Sequence, residues 1–276
     1  MKQITIVGLG LIGGSLAAAS RKAFPRARII GVSRSRAALA KAKKRKWIHE
    51  GTRDLVRGIQ TSQLVILCTP VDTLRPLLKR IDRATRSPLL VTDTGSVKGA
   101  LVRWADRQRW RRLSFVGAHP MAGSHEQGID AAKPKLFDQA LTFITPGRKT
   151  PKKALREVKT FWKKVSGRIL SVSPEKHDRL TAEISHFPHL IASLVVNTAS
   201  SQSLPFATSG FRDSTRVAQG DPRVWLPIFL ENRRELDRLL ARFQVGLGGI
   251  KRILKKGDIS RLRRALNEAR GRRIRL

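Results

Sequence analysis

Acidic residues are scarce in this sequence. Its 276 residues include 20 Asp and Glu against 56 Lys and Arg, leaving a formal charge of +36. Residues 1–49 hold 12 basic residues and no acid, and residues 251–276 hold 11 basic residues and two acids. Cysteine occurs once, at Cys68. That excludes an intrachain disulfide framework and a multi-cysteine zinc site, and it fits a reducing cytoplasm. Tyrosine is absent and methionine occurs twice, and the sequence offers no physical reason for either. Long apolar runs are also missing: no window past the N-terminus approaches the ~18 residues of a membrane span. The uncharged stretch from Gln3 to Ser20 imitates a signal peptide, but four glycines between Gly8 and Gly14 point elsewhere.

Hydrophobic residues make up 41% of the chain, enough for a packed core, so wholesale disorder is excluded. The charge raises nucleic acid, anionic membrane and anionic small molecules as partners. No run of five or six like charges forms a basic tail; only GRRIRL (271–276) reads as a frayed end.

Strands are predicted at 4–8, 28–32, 63–69, 89–93, 113–118, 140–145 and 168–173, with helices at 11–24, 35–46, 97–110 and 151–165 between them. Such alternation implies a doubly wound, mostly parallel α/β sheet. After Pro174 strand signals stop. Helices are predicted over 176–203, 222–256 and 259–270. This divides the chain into a Rossmann-type domain at 1–173 and an all-helical domain at 174–276, the latter suited to dimerisation.

Gly8-Leu9-Gly10-Leu11-Ile12-Gly13 is G-x-G-x-x-G between the first strand and first helix. The first glycine permits the tight turn, the second the approach of a pyrophosphate, the third close helix–strand packing. Free N–H groups around Leu11 and Ile12 would face the phosphates. NAD-binding chains usually place an acid about 20 residues further on. Here Ser33 and Arg34 stand there, with no carboxylate to repel a 2′-phosphate, so NADP is favoured over NAD. Thr69 and Pro70, closing the third strand, join the candidate cofactor residues.

TDTGSVKGAL (92–101) brings Ser96 and Lys98 to the carboxyl end of the fourth strand. From position alone, Ser96 either binds a substrate or caps the next helix, and Lys98 is equally a surface residue. In VGAHPMAGS (116–124), His119 ends an apolar strand and could take a proton while hydride leaves, or could simply bond to a turn. His186 and His189 lie three apart and share a helix face, without the acids or cysteine of a metal site, so no metal is expected. Arg212, Asp213 and Arg216 follow in GFRDSTRVAQGDP, where an Arg could grip a carboxylate.

Taken in order, VGLGLIGGSL, LCTPV, TDTGSVK, GAHPMAGS, ISHFPH, GFRDSTRVAQGDP and IFLENR resemble the prephenate/arogenate (cyclohexadienyl) dehydrogenase family from Val7 to Arg233. The resemblance implies a Rossmann domain, a helical dimerisation domain, a homodimer and no membrane. It implies oxidative decarboxylation of prephenate to 4-hydroxyphenylpyruvate, or of arogenate to tyrosine, with NAD(P). By motif, His119 is the catalytic histidine and Ser96 assists at the same hydroxyl. Arg216 holds the ring carboxylate, His186 and His189 line the pocket, and Asp213 supports it. Members that favour prephenate carry a Glu where His125 stands here, and the GVSR ending of the second strand is similar to NADP-using, arogenate-preferring members. The rival reading is a nucleic-acid-binding protein on a retired Rossmann scaffold, but no helix-turn-helix, RNA-binding aromatic motif or zinc module is visible.

Overall fold

The structure, a computed structural model, describes residues 1–124 and 126–276; His125, singled out above, lies outside them. Eight strands form one sheet: β1 Gln3–Val7, β2 Arg28–Val32, β3 Glu50–Thr52, β4 Leu64–Leu67, β5 Leu89–Asp93, β6 Leu113–Pro120, β7 Leu141–Thr145 and β8 Arg168–Ser171. Their spatial order is β3-β2-β1-β4-β5-β6-β7-β8. All pairings are parallel except β6 with β7, where His119 lies opposite Phe143.

The central strands are buried on both faces, as their unbroken apolar runs predict. Ile4, Ile6, Leu64 and Ile66 face one layer, with Phe161 and Trp162 of α6 (Lys152–Val165). Val65, Leu67, Val91 and Phe115 face the other, with α4 (Leu74–Ala84) and α5 (Gly99–Arg107). Successive strand residues point to opposite faces, so each strand feeds both cores. Helices α1 (Leu11–Ala23) and α2 (Arg36–Lys44) match their predicted segments within a few residues. The strand β3, the helix α3 (Leu55–Ile59) and α4 were not anticipated. The first is three residues of an edge strand with no hydrophobic pattern.

The region after Ser171 contains no strand among the described residues. The predicted helix over 176–203 is in fact broken. Helix α7 (Pro174–Thr181) passes through a π-helical turn, Ala182–His186, into α8 (Phe187–Thr198). Pro188 has no N–H to give Ile184, which removes an ordinary helical bond, and the N–H of Phe187 reaches Ala182 instead. A short α9 (Ser209–Thr215) and a 3-10 turn, Arg216–Gln219, follow. The predicted helix over 222–256 also breaks: α10 (Pro222–Glu231) stops at Asn232, and α11 (Arg233–Lys256) begins afresh.

The chain divides into two compact units, Met1–Asn232 and Arg233–Leu276. The second consists of α11 and α12 (Ile259–Ile274). Between them Gly257 adopts φ +61°, a left-handed conformation that closes α11 with N–H bonds from Gly257 and Asp258 back to Leu254 and Ile253. The Asp258 carboxylate caps α12. That helix continues to Ile274, so the frayed end predicted at GRRIRL is folded.

Candidate active site

In an open parallel sheet the functional edge lies beyond the carboxyl ends of the strands, where strand order reverses. Here that reversal is between β1 and β4, and the ends of β1, β4, β5 and β6 deliver Gly8, Thr69, Ser96 and His119 to the same edge.

The glycine turn has the shape a dinucleotide requires. Gly8 sits at φ +92°, and a Cβ there would lie 2.6 Å from the Cys68 carbonyl oxygen. A Cβ on Gly13 would lie 1.7 Å from the Gly8 carbonyl oxygen, so α1 could not approach the strand. A Cβ on Gly10 would meet nothing within 4 Å, which leaves the space a pyrophosphate needs. Leu11 and Ile12 open α1, where the first N–H groups have no partner within the helix. At the end of β2, Ser33 accepts a bond from the Ser35 N–H, and the Ser35 hydroxyl caps α2. Arg34 is exposed and has no ion-pair partner among the described residues. Thr69 accepts a bond from the Thr73 hydroxyl beside exposed Pro70.

At the end of β5, Asp93 and Lys98 form a fully buried ion pair. Asp93 also accepts from the N–H groups of Gly95 (2.9 Å) and Ala118 (3.1 Å), which locks β5 to β6 one residue before His119. Lys98 is therefore not the surface residue its position allowed. Ser96 is half-buried, and its hydroxyl has no hydrogen-bond partner among the described residues. It does not cap α5. The Asp178 carboxylate does so, accepting from the N–H groups of Lys98 and Gly99 at 2.7 Å each.

His119 is buried, and its Nδ1 lies 2.9 Å from Nε2 of His177. His177 Nδ1 in turn lies 2.8 Å from the Asp178 carboxylate. Sequence reasoning missed both His177 and Asp178. Asn232 ends α10 by turning its amide inward, 2.9 Å from the Asp178 carbonyl oxygen and 2.9 Å from His186 Nδ1. His189 stacks on Trp225 at 3.7 Å, and His186 meets the same indole edge-on. His186 Nε2 and His189 Nδ1 are buried without a hydrogen-bond partner among the described residues, leaving two polar atoms available to a ligand. Arg216 and Asp213 are exposed, and neither has a partner among the described residues. The fold thus gathers His119, His186 and His189 with His177, while Asp213 has no hydrogen-bond or ion-pair partner among the described residues.

Burial pushes His119 well below the ordinary histidine pKa, with smaller lowering contributions from neighbouring His177, Lys98 and His186. Burial likewise lowers His177 and His189, and brings His186 to about 4. All four rings are therefore neutral at pH 7. The unfolded chain binds protons more readily than the folded one between those values and 6.5. Stability is therefore complete above pH 6.5 and falls as pH drops toward 4, by on the order of 3 kcal/mol from His186 alone. Urea unfolding at pH 7 and pH 4.5 should show this loss, and His186→Gln should shrink it.

A neutral imidazole beside a dinucleotide turn can take a hydroxyl proton while hydride departs from the same carbon. The fold and site are those of a nucleotide-dependent dehydrogenase. The chain belongs to the prephenate dehydrogenase family. Its residues 16–171 match the profile of that family's nucleotide-binding domain, and residues 173–268 that of its dimerization domain. It is 40% identical over 257 residues to the prephenate dehydrogenase of Bacillus subtilis, covering 91% of this chain and 68% of the relative. It is 30% identical to the cyclohexadienyl dehydrogenase of Zymomonas mobilis, covering 93% and 90%. The prephenate dehydrogenase of Aquifex aeolicus, solved with hydroxyphenyl propionate and NAD+, superposes with a TM-score of 0.92 at 32% identity, over 99% of this chain and 98% of the other. Synechocystis arogenate dehydrogenase gives 0.83 at 32%, over 98% of both. Nothing in the fold or these relatives supports the nucleic-acid alternative raised by the charge.

Proposed function

We propose that the protein catalyses oxidative decarboxylation of arogenate to tyrosine, prephenate to 4-hydroxyphenylpyruvate, or both. The observation that carries this is His119: a buried, neutral imidazole at the carboxyl end of β6, beside the nucleotide edge. In either substrate one ring carbon bears hydrogen and hydroxyl, and the opposite carbon bears a carboxylate. When bound, the nicotinamide supplies a hydride acceptor. His119 accepts the hydroxyl proton, and Ser96, with its hydroxyl free, steadies the same oxygen. Arg216, exposed and without an ion-pair partner among the described residues, would hold a substrate carboxylate. His186 and His189 offer their unpartnered nitrogens to the remaining polar groups. Loss of hydride and carbon dioxide makes the ring aromatic, so the protein's task is orientation more than force.

Gly8, Gly10, Gly13 and the first turn of α1 would hold the pyrophosphate, with Thr69 and Pro70 alongside. Exposed Arg34 with Ser33, and the absence of a carboxylate there, support NADP over NAD. NAD+ in the Aquifex relative supports a nicotinamide cofactor of either kind. A division near 173 is supported by the meeting of the two family profiles there, although the compact units divide after Asn232. The dimerization profile, over residues 173–268, supports a homodimer through the C-terminal region. The lone free Cys68 fits a cytoplasmic enzyme.

One kinetic matrix tests the reading: arogenate and prephenate, each with NADP and NAD, followed at about 340 nm, the reduced-nicotinamide band. Turnover is expected in at least one cell, with higher kcat/KM for NADP. No turnover in any of the four cells would remove the assignment.

A further inference from the structure

We propose that His177 and Asp178 fix the working tautomer of His119, keeping its Nδ1 protonated and its Nε2 a bare lone pair for the substrate hydroxyl. This deepens the reading above and rests on it for the identity of the substrate. The assignment starts from the carboxylate. Both oxygens of Asp178 accept backbone N–H bonds of 2.7 Å from the first turn of α5, so toward His177 it can only accept. His177 Nδ1, 2.8 Å away, must carry the proton. The His177 ring is buried and neutral: burial outweighs the opposing pull of Asp178, and Lys98 adds to burial. A neutral ring protonated at Nδ1 is bare at Nε2. That Nε2 lies 2.9 Å from His119 Nδ1, so His119 donates there and its own Nε2 is bare. Phe143 of β7 meets the His177 ring edge-on at 5.2 Å, which resists rotation of the imidazole. The charged and titratable groups facing His119 are His177, Lys98 and His186. Burial and the Lys98 charge disfavour a standing proton on it.

The atom balance explains why so enclosed a base suffices. As hydride leaves the carbinol carbon, its O–H bond breaks toward His119 Nε2 and a carbonyl forms. As the bond to the departing carboxylate breaks, its electron pair enters the ring, and the oxygen recovers the proton from Nε2 as a phenol. The proton is held and returned, and none is released. His119 needs a polarisable partner behind it, not a route to solvent. Neutral His177, backed by the Asp178 charge, is that partner. His177 and Asp178 are thus positioning residues, and the catalytic residue is His119.

The tautomer is read directly by 15N NMR of the histidine-labelled full-length protein, without substrate or cofactor. The His119 signals are assigned from their loss in His119→Asn. The expected result is a protonated Nδ1 and a bare Nε2. A wild-type His119 protonated at Nε2 overturns the proposal, whether or not the kinetic matrix finds turnover. His177→Phe keeps the ring and removes the acceptor. It should lower kcat by ~10²-fold or more, since a wrong tautomer costs ~10⁴ in a Ser-His-Asp triad, with KM little changed. His177→Gln, whose amide oxygen reaches near the lost Nε2, should restore the Nδ1–H signal and most of kcat. Wild-type kcat in a folded His177→Phe protein would also overturn it. Should that variant not fold, the wild-type spectrum still decides.

Discussion

Replacing His119 by Asn lowers kcat by ~10²–10⁴-fold, the usual contribution of a positioned general base, and leaves the KM of the cofactor close to its starting value. The split follows from geometry. The cofactor turn is built from β1, α1 and the end of β4, none of which contains His119. The same histidine shapes the pH profile. Its pKa lies well below the ordinary 6.5, so the base form is already complete at neutral pH. In the wild type kcat/KM should therefore stay level from pH 8 down past 6.5 and fall only in more acidic solution. A variant that keeps wild-type kcat would take His119 out of the chemistry. An acid limb centred at or above 6.5 would contradict the environment described for its ring.

Lys98→Met is expected to destabilise the fold by about 3–5 kcal/mol, the cost of leaving one partner of a buried ion pair without the other. Both side chains are fully buried, so no water reaches the Asp93 carboxylate once the ammonium is gone. Asp93 would keep its bonds from Gly95 and Ala118, which do not neutralise its charge. Urea unfolding near pH 7 measures the loss. Adding Asp93→Asn removes the stranded charge, so the double variant should be more stable than Lys98→Met alone. A change below 1 kcal/mol in Lys98→Met would mean that the pair is not buried as described. Lys98 also lowers the His119 pKa, so the acid limb of any active Lys98→Met enzyme should move upward.

Much of this was legible in the sequence because the signals were local. The glycine turn lies within six consecutive residues. The strands β1, β4 and β5 are apolar runs bounded by turns. His119 is held by the proline that follows it. The missing parts depend on distance or on single side chains. His177 reads as one polar residue in the first turns of a helix, and its partner His119 is 58 residues away. Asp178 reads as an ordinary helix acid, yet it caps a helix some 80 residues earlier in the chain. Asn232 has no special mark among helix formers, but its amide finds two buried acceptors and ends α10 there. The π-helical turn was readable in principle from Pro188, a residue that cannot complete the helical ladder. Lys98 shows the limit of composition: in a chain so basic, nothing in the sequence separates this buried lysine from its solvated relatives.

The Asp178 carboxylate has a further consequence for descent. It lies just past the seam between the two family profiles, yet it caps the start of a helix of the first segment and anchors the histidine pair that spans both. Recombination at that seam would exchange half of the proposed catalytic assembly. A crossover there can yield a working enzyme only if the incoming helix brings its own histidine and acid in register. The seam therefore records how the chain can be aligned, while the unit that selection must inherit whole runs across it.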